Sequence, residues 1–154
     1  MQAYIFEDID SESVLTKFDE SDELKVFFTG CDFNCQYCNV KFLLKFSQER
    51  LIDIKDLKKE IEKHVGVKKK IVFTGGEPCL QRQALLNLCR FSKKLGLKVI
   101  IDTNGSKPDS LKSILMSDLV DEVRMDLKCA FDESKFEKVT KASTFFINSS
   151  QILE

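Results

Sequence analysis

The sequence holds one histidine, His64, and no apolar run that could cross a bilayer. Its longest apolar stretches, around 70–74 and 98–101, stop far short of the roughly 20 residues a spanning helix requires. A charge excess is also missing: 24 Lys and Arg face 25 Asp and Glu, for a net charge of −1 and a pI near 6.0. No basic field therefore points to nucleic acid. Where a secretory leader would be basic and then apolar, the N-terminus carries Glu7, Asp8, Asp10 and Glu12. No repeat or low-complexity tract interrupts the chain. The 154 positions are 43% hydrophobic and 32% charged, which fits one ordinary soluble domain and leaves no length for a second core. These absences imply a cytoplasmic protein with neither a membrane nor a nucleic-acid partner. Residues 1–154 read as a single domain, with an N-terminal extension over 1–23 and a core that starts near residue 24.

Against that background stand six cysteines. In a reducing cytoplasm, grouped cysteines are more often metal ligands or catalytic groups than disulfides. Cys31, Cys35 and Cys38 have the spacing C-x3-C-x2-C in the segment Gly30-Cys31-Asp32-Phe33-Asn34-Cys35-Gln36-Tyr37-Cys38. Thiolates suit both iron–sulfur clusters and zinc. Structural zinc takes four ligands, and with His64 remote in sequence, Cys79 or Cys129 would have to complete such a site. Three thiolates on a cubane leave one iron without a protein ligand, and an open coordination position marks a reactive metal.

Short β-rich runs alternate with helical patterns. Strands are expected at 24–29, 70–74, 98–101 and 120–127. Helices are expected at 54–64, where Ile54, Leu57, Ile61 and Val65 share a face, and at 81–95, where Leu85, Leu88, Cys89, Ser92 and Leu95 do. Another helix enters through Lys107-Pro108 over 109–116, and a last one runs from about 144 to the end. The stretch from the cysteines to Arg50 reads as irregular. Strand–helix alternation with short connections implies parallel strands and right-handed crossovers. Four units are too few to close an eight-unit barrel, so the fold class is α/β, a partial (β/α) barrel or an open sheet. Loops after the strand C-termini then meet on one rim, where chemistry is expected.

The notable segments all lie on that rim: the cysteine loop, Thr74-Gly75-Gly76-Glu77-Pro78, Asp102-Thr103-Asn104-Gly105 and Asp126-Leu127-Lys128. Taken alone, Gly75-Gly76 is a turn, and Asn104-Gly105 is a strand-end turn suited to positive φ; their shared rim favours a site. Cys89 reads as helical core. Cys79 lies one residue past the glycine loop, either facing the site or buried, and Cys129 either packs or takes part in a radical relay. His64 and the lysines 68–70 read as solvated.

C-x3-C-x2-C after a first strand, with Gly75-Gly76-Glu77-Pro78 after a second, resembles the radical S-adenosylmethionine superfamily. The resemblance implies a 4Fe–4S cluster on Cys31, Cys35 and Cys38, whose open iron chelates S-adenosylmethionine. It implies that Gly75, Gly76 and Glu77 line the cofactor's methionine amino group and that Tyr37 packs near its adenine. The runs 100–106 and 125–128 are similar to activating enzymes of glycyl-radical proteins, most of all to the activating protein of anaerobic ribonucleoside-triphosphate reductase. That likeness implies a glycyl-radical protein as partner and a flavodoxin or ferredoxin as reductant. It also implies a monovalent cation on Asp102, Thr103 and Asp126, Asn104 beside the cofactor, and Lys128 toward the glycyl loop or the cofactor carboxylate. The stretches 7–23 and 40–50 are expected docking surfaces. Two departures stand out: Cys38-Asn39 replaces the frequent Cys-His-Asn, and longer relatives continue with further strands of a six-unit partial barrel. A radical enzyme acting on a small molecule, like the deazaguanine-forming synthases, is the second reading, and a zinc module the third.

Overall fold

Period-two burial builds the sheet. In β2 (Glu23–Phe28), Leu24, Val26 and Phe28 are buried, while Glu23, Lys25 and Phe27 face the other way. The same alternation places Ile71 and Phe73 of β4 (Lys70–Gly75), and Val99 and Ile101 of β5 (Lys98–Thr103), in one core. With β6 (Glu122–Met125) these strands form a four-stranded, wholly parallel sheet in the order β2-β4-β5-β6. The computed structural model describes residues 1–6, 22–46, 51–129 and 132–142.

Three helices supply the other half of the core. α1 (Ile54–Lys63) starts at Asp53, whose carboxylate accepts from the Lys55 N–H at 2.8 Å, and contributes Leu57 and Ile61. α2 (Arg82–Lys94) contributes Leu85, Leu88 and Cys89 and ends before Gly96, while α3 (Pro108–Leu115) contributes Leu111 and Ile114. The parallel α/β architecture is the one expected from the alternation. The observed β6 is shorter than the expected 120–127, because only four residues register against β5.

The N-terminus departs from expectation. β1 (Gln2–Tyr4) pairs antiparallel with β3 (Leu51–Asp53), and Ala3 and Ile5 are buried in the main core. Past β1 the chain lies along β2, with Phe6 N donating to Phe27 O at 2.8 Å and Thr29 N to Tyr4 O at 3.0 Å. Ala3 and Ile5 are therefore core rather than extension. The stretch read as irregular likewise holds a 3-10 turn over Lys41–Leu43 and the strand β3. A short helix, α4 (Glu133–Thr140), was not expected at all. The helix expected from about 144, and most of the acidic docking stretch, lie outside the described residues.

Candidate cofactor site

The cysteine loop leaves β2 through Gly30 and is tied down at several points. At its entrance, Gly30 N donates to Leu43 O at 2.6 Å and Cys31 N to Leu44 O at 3.1 Å. In its middle, Asn34 N donates to Thr140 O at 2.8 Å and Gln36 N to Val139 O at 3.1 Å. Those acceptors belong to the last turn of α4, where carbonyls lack intrahelical donors. Phe136 of α4 meets Phe33 edge-on, ring centroids 5.5 Å apart, in a small second core with Cys35. Near its end, the Tyr37 hydroxyl donates to Lys128 O at 2.9 Å, tying the loop to the segment after β6.

The glycine loop owes its residue type to close backbone approach. Gly75 has φ +112°, and a side chain there would also strike the Phe28 backbone. At Gly76 a Cβ would fall well under 3.0 Å from the Gly30 carbonyl oxygen. That carbonyl accepts from Glu77 N at 2.8 Å, so the glycine loop and the start of the cysteine loop touch main chain to main chain.

Glu77 is not on the cavity wall, where it was expected. Its carboxylate is wholly buried beneath the loop. Oε1 accepts from Cys79 N at 2.9 Å and the Thr103 hydroxyl at 2.8 Å, and Oε2 from Asn104 N at 2.7 Å. Burial pushes its carboxyl above the ordinary range, although these donors favour the ionised form. Glu77 thus fastens the ends of β4 and β5 together. Cys79 lies beside it with Sγ 3.7 Å from the Thr103 hydroxyl, in the main core.

Cys31, Cys35, Cys38, Tyr37, Gly75, Gly76, Asp102, Thr103, Asn104, Asp126 and Lys128 line one cavity of about 380 Å³. The three cysteines thus share a wall with both rim segments. Burial pushes the Cys31 thiol up to about 12, and Cys35 upward as well. Two donors aim at the Cys31 sulfur: Phe33 N at 3.4 Å and Asn104 Nδ2 at 3.7 Å. This soft, partly desolvated donor set with N–H groups on sulfur fits an iron–sulfur cluster. Among the described residues no three His, Cys, Asp or Glu are gathered around a single ion. Cys79 sits in the main core, apart from the cysteine loop, and Cys129 packs against the second core.

Two of the three expected cation ligands, Thr103 and Asp126, are already engaged by other groups. The Thr103 hydroxyl is committed to Glu77 and accepts from Gly105 N at 3.1 Å. Asp126 pairs instead with Lys128. Lys128 is pulled down by burial, but the Asp126 pairing outweighs this and holds it above its ordinary value. Asp102 is pushed up by burial, against a hydrogen bond from Thr74, and its Oδ1 is buried without a hydrogen-bond partner.

Some contributors were missed from sequence. Arg124 lines the cavity, and the period-two pattern Glu122, Arg124, Asp126 was the available signal. Gln81 fastens β1 and β2, donating to Tyr4 O at 2.9 Å and Thr29 O at 3.0 Å and accepting from Tyr4 N at 2.8 Å. Nothing local in the sequence announces that role.

Comparison with known proteins gives the family. The Radical SAM superfamily model matches residues 25–147. A Methanocaldococcus jannaschii protein provisionally named a glycyl-radical enzyme activating enzyme is 36% identical over 71% of this chain and 45% of its own length. The 7-carboxy-7-deazaguanine synthase of Clostridium acetobutylicum is 35% identical over 88% of this chain and 60% of its own. The chain spans about half the length of the curated relatives it matches. Among solved structures, TYW1 with a lysine-pyruvate adduct aligns with a TM-score of 0.58 at 17% identity, covering 86% of this chain and 49% of that one. QueE from Escherichia coli aligns with a TM-score of 0.50 at 22% identity, covering 68% and 53%. These two show the fold. With the matched span, the parallel sheet and the cysteine loop together, the chain belongs to the radical SAM superfamily.

Proposed function

We propose that this chain binds a 4Fe–4S cluster through Cys31, Cys35 and Cys38, cleaves S-adenosylmethionine reductively, and installs a glycyl radical on a partner enzyme, namely anaerobic ribonucleoside-triphosphate reductase. The observation that carries the reading is the shared cavity, where three cysteines meet the glycine loop and the end of β5. When bound, the cluster supplies the electron that breaks the carbon–sulfur bond and yields a 5′-deoxyadenosyl radical. The chain's own residues ligate, orient and exclude water. Gly75 and Gly76 offer bare backbone to the cofactor's methionine end, and Tyr37 offers an aromatic face. Lys128 supplies positive charge for a carboxylate or the incoming glycyl loop. Its present partner, Asp126, would be exchanged on binding. A flavodoxin or ferredoxin serves as reductant in this reading. A cation on Asp102 needs Asp126 released from Lys128.

Support for the partner comes from the 125–128 run and from likeness to glycyl-radical activating enzymes. The similar deazaguanine synthase favours a second reading, a radical enzyme acting on a small molecule. The test is anaerobic reconstitution, dithionite reduction and detection of 5′-deoxyadenosine. Addition of the reductase should then give a glycyl doublet by electron paramagnetic resonance. A colourless zinc protein without cofactor cleavage defeats the enzyme reading. Cleavage with no doublet, but with 7-carboxy-7-deazaguanine formed in the synthase assay, selects the second.

A further inference from the structure

Asp32 follows the first cysteine and has no part in the reading above. Its carboxylate nonetheless gathers three donors from one segment, the loop between β5 and α3. Oδ1 accepts from Asn104 Nδ2 at 3.2 Å and from the Ser106 hydroxyl at 2.9 Å, and Oδ2 pairs with Lys107 Nζ at 3.0 Å. A strand-end turn at Asn104-Gly105 accounts for the bond from Ser106 N to Asn104 Oδ1 at 2.8 Å. It does not account for the other end of that amide crossing to the cysteine loop.

We propose that Asp32 is a positioning residue which, through Asn104, sets a hydrogen bond on the Cys31 sulfur and so raises the reduction potential of the cluster. The proposal rests on the cluster reading given above. Asn104 is 5% exposed, so both its amide hydrogens need partners. The Ser106 N–H on Oδ1 fixes which way the amide faces. Nδ2 then has two acceptors within reach, Asp32 Oδ1 and Cys31 Sγ at 3.7 Å. Asp32 holds the amide in the plane from which its second hydrogen meets the sulfur. Hydrogen bonds to ligand sulfur stabilise the more negative, reduced cluster and raise its potential. Lys107 offsets part of the carboxylate's own charge, which by itself opposes reduction, so the hydrogen bond on sulfur must outweigh the remainder.

The experiment measures the cluster's midpoint potential, without S-adenosylmethionine, in anaerobically reconstituted protein. Asn104→Leu removes the donor without changing charge, and its potential should fall below that of the unsubstituted chain. Asp32→Asn, measured alone and in the Asn104→Leu background, should shift the potential by different amounts. Ser106→Ala, which loosens Asp32 without altering a charge or the Asn104 side chain, should give a smaller fall and stands in if Asn104→Leu loads no cluster. Iron loss to a chelator should be about 10-fold faster in Asp32→Ala, the lower end for loss of an outer-shell partner. An unchanged potential in the donor-removing variant, or equal Asp32→Asn shifts in both backgrounds, overturns the proposal while leaving the cluster reading intact. If the unsubstituted chain takes up no iron and sulfide, the cluster reading falls first and this proposal with it.

Discussion

Arg124 on β6 reaches Glu23 on β2, Nη2 to Oε1 at 2.9 Å, although β4 and β5 lie between them in the sheet. In a flat sheet three strand spacings would separate the two backbones by about 14 Å. Two long side chains therefore tie the first and last strands of the sheet across its face. Arg124 also bonds Glu122 through Nε at 2.8 Å. A double-mutant cycle with Arg124→Gln and Glu23→Gln, read by urea denaturation, should give a coupling of about 0.5–1 kcal/mol, since the arginine is partly exposed. The coupling should shrink at high salt.

Glu77 offers a sharper case. Glu77→Gln keeps the shape but turns an acceptor into an NH₂ group facing buried donors, so it should destabilise the fold at neutral pH by about 1–3 kcal/mol. The pH dependence has a definite sign. Burial raises the folded-state pKa of Glu77 above its unfolded value. Its titration thus contributes stability that is fully present below the unfolded pKa and is lost as pH rises through the raised folded pKa. Urea midpoints across that window should show the unsubstituted chain losing stability relative to Glu77→Gln as pH increases. A parallel pair of curves would mean Glu77 titrates normally.

At the cysteines the expectation is selective. Cys31→Ala, Cys35→Ala and Cys38→Ala should each abolish an intact cluster, measured as iron and sulfide per chain. Cys89→Ala lies in the main core and should keep the cluster while costing about 1 kcal/mol of stability. Retention of a full cluster by any of the first three would remove that residue from the ligand set.

Two glycines give a contrast in kind. Gly76→Ala sets a Cβ against the Gly30 carbonyl oxygen, a main-chain atom that cannot swing aside, and should abolish S-adenosylmethionine binding by isothermal titration. Gly66 also has positive φ, but a Cβ there meets nothing within 4 Å. Gly66→Ala should cost about 1–2 kcal/mol of backbone strain and leave cofactor binding unchanged.

Phe136→Ala opens the small core under the cysteine loop. A loss of about 3 kcal/mol is expected for a buried phenylalanine, together with faster proteolysis of the cysteine loop. Unchanged protection of that loop would show that its hydrogen bonds hold it without the Phe33–Phe136 contact.

Much of this protein was legible from sequence because the relevant physics is local. Period-two and helical burial patterns placed the four parallel strands and α1 to α3. Cysteine spacing and glycine pairs marked the loops, since ligand reach and positive φ are properties of a few adjacent residues. What tertiary structure alone decided is where side chains point once distant segments meet. Glu77 looks like a cavity residue in its motif, yet the register of β4 against β5 turns it inward onto Thr103 and Asn104. Ala3 and Ile5 look like part of an acidic extension, yet pairing with β3 and β2 buries them. Asp126 and Lys128 pair with each other across two positions of the rim. A motif specifies which groups are available, and long-range packing determines which of them are already spent.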